Sequence, residues 1–160
     1  MATNPGIKKV FVTKLTDVLS TDKEGVGSVR IEGGNTYKWC HIKHVTATVA
    51  GAAGSLVGYF AGTGYGNNQV CVDLSDADTI PVCAGALLAT VAGVINTDYY
   101  CWVQTKGPVT LDTAVTSGAA GKSFFLTSTD KTATVGANAY DQKAGISLNG
   151  TTSVLLTCPD

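Results

Sequence analysis

One stretch of the chain decides its fold: Tyr99-Tyr100-Cys101-Trp102-Val103-Gln104-Thr105-Lys106-Gly107-Pro108-Val109-Thr110-Leu111. Aromatic and β-branched residues dominate it, and both kinds fit the pleated, half-buried surface of a β-sheet. Gly107-Pro108 interrupts the pattern with two residues that are typical of turns. The stretch therefore predicts two β-strands separated by a Lys-Gly-Pro turn.

The chain on either side continues this strand-and-turn pattern. Residues 28–32 alternate, Gly33-Gly34-Asn35 provides a turn, and residues 36–39 resume the strand, which predicts a β-hairpin. Residues 84–94 fit one or two helical turns as well as a buried strand, because short apolar runs have no diagnostic period. Short strands between glycine turns predict a mainly β fold, a sandwich or small β-barrel with at most one short helix. The other predicted strands cover residues 45–49, 56–60, 69–73, 122–127, 144–148 and 153–158.

The first 27 residues differ from the remainder of the chain. They contain Pro5-Gly6, a short apolar group and a polar run at residues 20–25. β-branched residues make a helix unfavourable in the apolar group, and a short strand at residues 9–13 fits it better. We therefore expect an extended N-terminal arm, residues 1–27, joined to a β-rich body, residues 28–160.

The composition limits the classes of function. A chain of 160 residues suits one domain that buries ~70% of its unfolded surface. The net charge is −1 and Arg30 is the only arginine, so the sequence has no basic footprint for nucleic acid. No apolar run reaches the ~18 residues of a membrane helix, and no signal-peptide pattern is visible. We expect no nucleic-acid or membrane partner, synthesis in a cytoplasm, and a surface partly covered by another protein, since only 14% of residues are charged.

The cysteines are consistent with a reducing compartment. There are five of them, widely spaced and without a Cys-x-x-Cys motif. We expect reduced thiols that pack as small hydrophobic side chains. They are Cys40, Cys71, Cys83, Cys101 and Cys158.

Two glycine-rich segments resemble phosphate-binding loops only superficially. The first is Gly118-Ala119-Ala120-Gly121-Lys122-Ser123. A P-loop that ends in Gly121-Lys122-Ser123 requires its first glycine at position 116, which is Thr116 here, and a strand follows where a helix is needed. Gly62-Thr63-Gly64-Tyr65-Gly66 lacks the spacing of a dinucleotide-binding loop. Both segments predict turns.

A few side chains are candidates for metal binding or catalysis. Cys40 and His44 share one strand face, which makes them the candidate thiol–imidazole pair, but two ligands do not form a zinc site. Three neighbouring aspartates lack the spacing of an EF-hand and are typical of turns; they are Asp73, Asp76 and Asp78. We expect no metal, no cofactor and no enzyme activity, with catalysis by Cys40 and His44 as an alternative.

Three segments carry a resemblance to a known family. The first is Glu24-Gly25-Val26-Gly27-Ser28-Val29-Arg30-Ile31-Glu32-Gly33 followed by Tyr37-Lys38-Trp39, and the second is the stretch at residues 99–111. The third runs from Gly121-Lys122-Ser123-Phe124 through Ala144-Gly145-Ile146-Ser147-Leu148 to residues 153–158. Over most of residues 24–158 the chain resembles the small head decoration, or capsid cement, proteins of tailed bacteriophages.

This resemblance implies a structural virion protein with no catalytic residues. It implies a β-barrel or β-tulip-like body that binds the major capsid protein on the outer surface of an icosahedral phage head. Such a protein stabilises contacts between capsomers, commonly as a homotrimer.

In that role the apolar residues of the arm are the candidate contacts with the capsid or with a neighbouring subunit. An extended arm can add a strand to an exposed sheet edge. We expect deletion of residues 1–20 to abolish capsid binding and to leave a folded body. The candidate residues are Ile7, Val10, Phe11, Val12 and Leu15.

The alternative is a phage fibre or receptor-binding β-domain that recognises carbohydrate. Such a domain needs exposed aromatic side chains beside polar loops, whereas aromatics within strands pack in the core by default. The aromatic candidates are Tyr59, Tyr65, Tyr99, Tyr100 and Trp102.

Overall fold

The computed structural model describes residues 9–44, 48–60, 68–75, 82–136 and 143–158. These residues form eleven β-strands and no helix, which confirms the mainly β prediction. None of the described residues forms a helix that could span a membrane. The strands are β1 (Val18–Leu19), β2 (Val29–Glu32), β3 (Asn35–Ile42), β4 (Leu56–Tyr59), β5 (Gln69–Cys71), β6 (Cys83–Leu87), β7 (Tyr99–Thr110), β8 (Ser123–Leu126), β9 (Ala133–Val135), β10 (Lys143–Ser147) and β11 (Ser153–Thr157).

Five of the strands close into a small barrel. The order around it is β3, β5, β4, β6 and β7, and β7 pairs again with β3. β3 and β5 are parallel, and the other neighbours are antiparallel. Because side chains alternate between the two faces of a strand, one set fills the barrel. That set includes Cys40, Ile42, Val57, Tyr59, Val70, Ala84, Cys101 and Val103.

β7 is one continuous strand of 12 residues, so the predicted break at Lys-Gly-Pro is wrong. Lys106 pairs with Thr36 of β3 and with Thr157 of β11, which places those two strands on opposite edges of β7. Beyond Lys106 the pairing with β3 ends and β11 alone continues. Gly107, with φ of 107°, allows the backbone conformation at this change of partner. Pro108 is tolerated because a proline in a strand requires one unpaired edge.

The predicted hairpin is confirmed. β2 and β3 are joined by Gly33 and Gly34, with φ of 59° and 82°, as a two-residue hairpin turn requires. Asn35 belongs to β3, not to the turn. Only residues 35–38 of β3 pair with β2. β5 pairs with β3 further along, at His41 and Ile42. β2 therefore projects beyond the closed part of the barrel.

One open alternative is resolved and one local prediction needs correction. For residues 84–94 the buried-strand alternative is confirmed and no helix forms, because β6 (Cys83–Leu87) lies buried in a sheet between β4 and β7. Residues 9–13 form no strand, because the N–H groups of Val12 and Thr13 bind a side-chain carboxylate and not a neighbouring strand. β1 and β9 were not predicted. Of the strand predicted at residues 45–49, residues 45–47 lie outside the described residues.

Two layers cover the outside of the barrel. The C-terminal strands, in the order β11, β10, β8 and β9, extend the sheet from β7 and pack against β4 and β6. Their shared core includes Leu56, Cys83, Ala86, Phe124, Val154, Leu156 and Cys158. The N-terminal segment, by which we mean residues 9–27, covers a different face. On that face β3 and β7 place Tyr37, Trp39 and Trp102 on the outside of the barrel.

Candidate docking surface

Two tryptophans on the outside of the barrel hold the N-terminal segment. Trp39 of β3 and Trp102 of β7 lie directly opposite each other, with ring centroids 5.3 Å apart, and both are fully buried. Phe11 contacts Trp102 edge-on at 5.2 Å. The indole N–H of Trp39 donates to Asp22, and that of Trp102 donates to the Thr13 hydroxyl, at 2.8 and 2.9 Å. The tryptophans are thus buried by the N-terminal segment itself.

Glu24 fixes the path of the same segment. Its Oε1 accepts hydrogen bonds from the backbone N–H groups of Val12 and Thr13, both at 2.8 Å, and from the Thr13 hydroxyl at 2.7 Å. Burial alone raises the pKa of this carboxyl, but these hydrogen bonds and the charge of Lys9 outweigh it, so that the pKa is lowered. The residue is therefore a buried carboxylate at neutral pH, and it orders the chain around Thr13.

Two cations bind residues 9–13 to β2 and to the residues just before it. Lys9 Nζ donates to the carbonyl of Glu24 and to the hydroxyl of Ser28. Arg30 Nη1 donates to the Thr13 carbonyl at 3.1 Å, and its guanidinium lies 5.5 Å from the centre of the Phe11 ring. Residues 9–13 and β2 are therefore neighbours at one end of the molecule.

The five candidate residues of the arm fall into two groups. Phe11 and Leu15 are partly buried against the tryptophan pair, so they attach the segment to its own barrel. Val10 and Val12 point away and are 81% and 75% exposed. Ile7 lies outside the described residues. Of the predicted arm, residues 9–27 lie against the body.

Two exposed residues of β2 were not among the candidates. Val29 is 48% and Ile31 75% exposed, and they alternate with Arg30, the residue that binds the Thr13 carbonyl. Within the described part of the chain β2 pairs with β3 alone. Alternation marks Val29 and Ile31 as one face of a strand, but that signal normally indicates a core face. Val29 and Ile31 pair with Lys38 and Thr36, so they lie on the face of β2 opposite Arg30 and residues 9–13. We give the name N-terminal surface to the free edge of β2 together with these two residues and with Val10 and Val12, which lie on the segment bound to the other face.

Neither ring nitrogen of His44 forms a hydrogen bond with the Cys40 thiol among the described residues. Cys40 lies inside the barrel, and burial raises the pKa of its thiol to about 12, with Lys38 opposing the shift. The thiolate, which is the nucleophile, is therefore strongly disfavoured. His44 is also buried, with Nε2 3.1 Å from the Val49 carbonyl oxygen.

The other motifs form turns where they are described. Asp73 accepts hydrogen bonds from the N–H and hydroxyl of Ser75, at 3.0 and 2.5 Å, which is the geometry of a turn. Asp76 and Asp78 lie outside the described residues. Residues 118–122 form a turn that leads directly into β8. Within the described ranges no group of three or more His, Cys, Asp or Glu side chains is placed to hold a metal ion.

The aromatic side chains proposed for carbohydrate binding belong mainly to the cores. Tyr59 and Trp102 are buried, one inside the barrel and one beneath the N-terminal segment. Tyr99 and Tyr100 are half-buried, and the Tyr100 ring stacks on His41 at 4.9 Å. Tyr65 lies outside the described residues.

No protein-family model, curated protein or solved structure matches the chain. The fold and the N-terminal surface are therefore the observations from which function is inferred.

Proposed function

We propose that the protein is a capsid decoration, or cement, protein that binds the outer surface of an icosahedral phage head. Its partner is the major capsid protein, and its role is to stabilise contacts between capsomers, not to catalyse a reaction. The observation that carries the proposal is the N-terminal surface: β2 has a free edge and carries exposed Val29 and Ile31, and the neighbouring segment, attached firmly to the β-barrel, carries exposed Val10 and Val12.

The free edge of β2 indicates the mode of binding. Scattered exposed apolar residues are normal on a protein surface. An edge strand that carries an exposed valine and an exposed isoleucine, however, is a template for pairing with another chain. An extended segment of the partner would form backbone hydrogen bonds with β2, and apolar contacts with Val29 and Ile31 would supply specificity. Val10 and Val12, on the segment bound to the other face of β2, would provide a second apolar contact.

The attachment of residues 9–15 to the barrel supports a binding role over a flexible-tether role. Ordering a free segment on binding opposes association, because each fixed residue loses backbone entropy of about 1–2 kcal/mol. Glu24, Thr13 and Trp102 already hold this segment in the unbound protein. A preorganised surface of this kind retains more of its contact energy as affinity.

Homotrimer formation is part of the proposal. A trimer presents three copies of the N-terminal surface at once, so that weak single contacts combine into strong binding by avidity. Such a trimer fits a three-fold or quasi-three-fold position on the shell. Sedimentation equilibrium of the purified protein tests the oligomeric state separately from capsid binding.

Co-sedimentation with heads that lack the protein tests the proposal. The heads are assembled from the major capsid protein of the phage that carries this chain. We expect saturable binding by the wild-type protein and at least a ten-fold loss of affinity for V10D/V12D, because charges at an apolar contact are left desolvated. L148D is the matched control, since Leu148 is 47% exposed on a turn of the C-terminal sheet.

The outcomes separate the surface from the function. Equal binding by wild type and V10D/V12D would reject Val10 and Val12 as capsid contacts and leave the decoration role intact. No binding by the wild-type protein would reject the decoration role. A glycan-array screen then tests the carbohydrate-binding alternative, for which Tyr99 and Tyr100 are the half-buried candidates among the described residues.

A further inference from the structure

Two of the five cysteines meet between the barrel and the C-terminal sheet. Cys83 is the first residue of β6, and Cys158 directly follows β11. Their Sγ atoms are 2.9 Å apart, within about 1 Å of the S–S bond length of about 2.04 Å. All five cysteines are free thiols in this structure.

The surroundings of the pair hold both sulfurs in place. Cys83 and Cys158 are 0% and 1% exposed and belong to the core shared by the barrel and the C-terminal sheet. The backbone N–H of Cys158 donates to the Thr105 carbonyl at 3.1 Å, which fixes the end of β11 against β7. The Cys158 thiol also lies 3.6 Å from the Ala144 carbonyl oxygen of β10. Little backbone movement is therefore needed to bring the two sulfurs into bonding distance.

We propose that Cys83 and Cys158 form a disulfide when the folded protein passes from a reducing to an oxidising medium, with a low-molecular-weight disulfide as the oxidant. One cysteine thiolate attacks the small disulfide, and a mixed disulfide and one small thiolate form. The second cysteine thiolate then attacks the protein sulfur of the mixed disulfide and displaces the other small thiolate. The two protein thiols lose two protons and two electrons, and the small disulfide is reduced to two thiols.

Burial makes this oxidation slow and selective. Burial, together with the adjacent Cys158 thiol, raises the pKa of Cys83 well above its usual range. The fully packed protein therefore presents little thiolate, and reaction requires transient opening at the end of β11. Once formed, the bond is enclosed by the core and shielded from reducing thiols.

The bond would tie two parts of the fold that are distant in sequence. The cysteines are 75 positions apart, so the disulfide closes a long loop and restricts the unfolded chain strongly. It would connect β6 of the barrel with the strand that carries the C-terminal sheet. The proposal goes beyond the capsid role and does not depend on it.

The test uses the purified wild-type protein, reduced and then incubated with oxidised glutathione. Remaining thiols are alkylated, and peptides are mapped by mass spectrometry without reduction. A parallel incubation contains denaturant at a concentration just below that at which the protein unfolds. This speeds access of the oxidant to the buried thiols, so that a negative result cannot be attributed to slow access. We expect a peptide in which Cys83 is linked to Cys158, with a loss of two hydrogen atoms, and a melting temperature raised by roughly 10 °C.

C158A is the principal variant, and C40A/C101A is the matched control. Cys40 and Cys101 face each other on β3 and β7 inside the barrel, so the control removes two buried thiols of another pair. We expect the oxidation-dependent rise in melting temperature to vanish in C158A and to remain in C40A/C101A. If C158A does not fold, the presence or absence of the linked Cys83–Cys158 peptide in the wild-type map decides whether the disulfide forms. A stable mixed disulfide with glutathione, a Cys40–Cys101 link in its place, or no link under either condition would overturn the proposal.

Discussion

At the scale of single residues, Glu24 is the side chain that orders residues 12 and 13 of the N-terminal segment. Three hydrogen bonds from Val12 and Thr13 converge on one of its oxygens, and Thr13 in turn accepts from Trp102. E24Q keeps an acceptor but removes the charge that strengthens these bonds, so we expect a loss of about 1–2 kcal/mol in the free energy of unfolding at pH 7. Urea unfolding measures it. E32Q weakens only an exposed ion pair, that of Glu32 with Arg30, and should lose less than about 0.5 kcal/mol.

The lowered pKa of Glu24 makes this effect depend on pH. A carboxyl whose pKa is lower in the folded state stabilises the fold above its unfolded pKa, about 4.3. That stabilisation is lost as pH falls through the folded-state pKa. The difference in unfolding free energy between wild type and E24Q should therefore shrink towards zero below about pH 4. A constant difference from about pH 7 to about pH 3 would contradict the assigned role of the charge.

The pKa of Asp130 is shifted in the opposite direction to that of Glu24. Burial raises the pKa of this carboxyl, and so does its contact with the Asp73 carboxyl, although a hydrogen bond from the Leu74 N–H at 2.8 Å opposes the shift. A raised carboxyl pKa stabilises the fold below the unfolded pKa, and this contribution is lost as pH rises through the folded value. D130N keeps an acceptor for Leu74 and removes the charge, so we expect slightly greater stability at pH 7, by less than about 1 kcal/mol.

The measurement for Asp130 is thermal melting from about pH 3 to about pH 8. The melting temperature of D130N should exceed that of wild type at pH 7, and the gap should narrow on acidification. D17N provides the control, because the Asp17 carboxylate also accepts a backbone N–H, that of Lys14 at 2.8 Å, but does so at the exposed surface. We expect no comparable rise in the melting temperature of D17N. A lower melting temperature for D130N at pH 7 would show that the carboxylate stabilises the fold.

At the scale of elements, β7 organises the molecule, and Gly107 is the point at which it changes partner. A Cβ at this position would lie 2.0 Å from the Asn35 side-chain oxygen, and φ is 107°. We expect G107A to lower the free energy of unfolding by about 2–4 kcal/mol, through backbone strain and displacement of Asn35. Denaturant unfolding checks this. G136A is the control, since an added Cβ there meets nothing within 4 Å.

The N-terminal segment acts as a structural element of the body, which changes what a deletion would show. Removal of residues 1–20 would expose Trp39 and Trp102, the only tryptophans in the chain. We expect a red-shifted fluorescence emission and a melting temperature lower by several degrees. The deletion therefore confounds capsid binding with stability, and V10D/V12D tests binding more cleanly. Unchanged tryptophan emission after deletion would contradict this packing.

Sequence reasoning succeeded where the determining interactions are local. The Gly33-Gly34 pair predicts a hairpin by its backbone conformation, although Asn35, which was predicted to lie in the turn, belongs to β3. β8, β10 and β11 follow from short apolar alternation between glycines. The continuity of β7 was missed because it depends on pairing with β11, a strand more than forty residues away. A Gly-Pro pair has the same local signature in a turn and at a change of strand partner.

The candidate surface was predictable only in part for the same reason. Alternation around Phe11 indicates that its neighbours Val10 and Val12 face the opposite side, but it does not say which side meets the body. That choice depends on Trp102 and Glu24, which are distant in sequence. Likewise, Val29 and Ile31 read as core residues until the barrel is seen to close without β2.

At the scale of the whole molecule, the barrel lies between two layers with different tasks. The C-terminal sheet covers β4 and β6 and shares a large apolar core with them, whereas the N-terminal segment covers a small aromatic cluster and carries exposed valines outward. This division fits a rigid body with one specialised contact region. It is compatible with the proposed role of covering seams between capsomers.

The most direct test of the decoration role is calorimetry of phage heads lacking this protein, with and without saturating amounts of it added. We expect the melting temperature of the heads to rise with added protein and to level off near one copy per capsid subunit, with V10D/V12D producing little change. Heads that melt at the same temperature at every concentration of the wild-type protein would contradict the role as capsid cement.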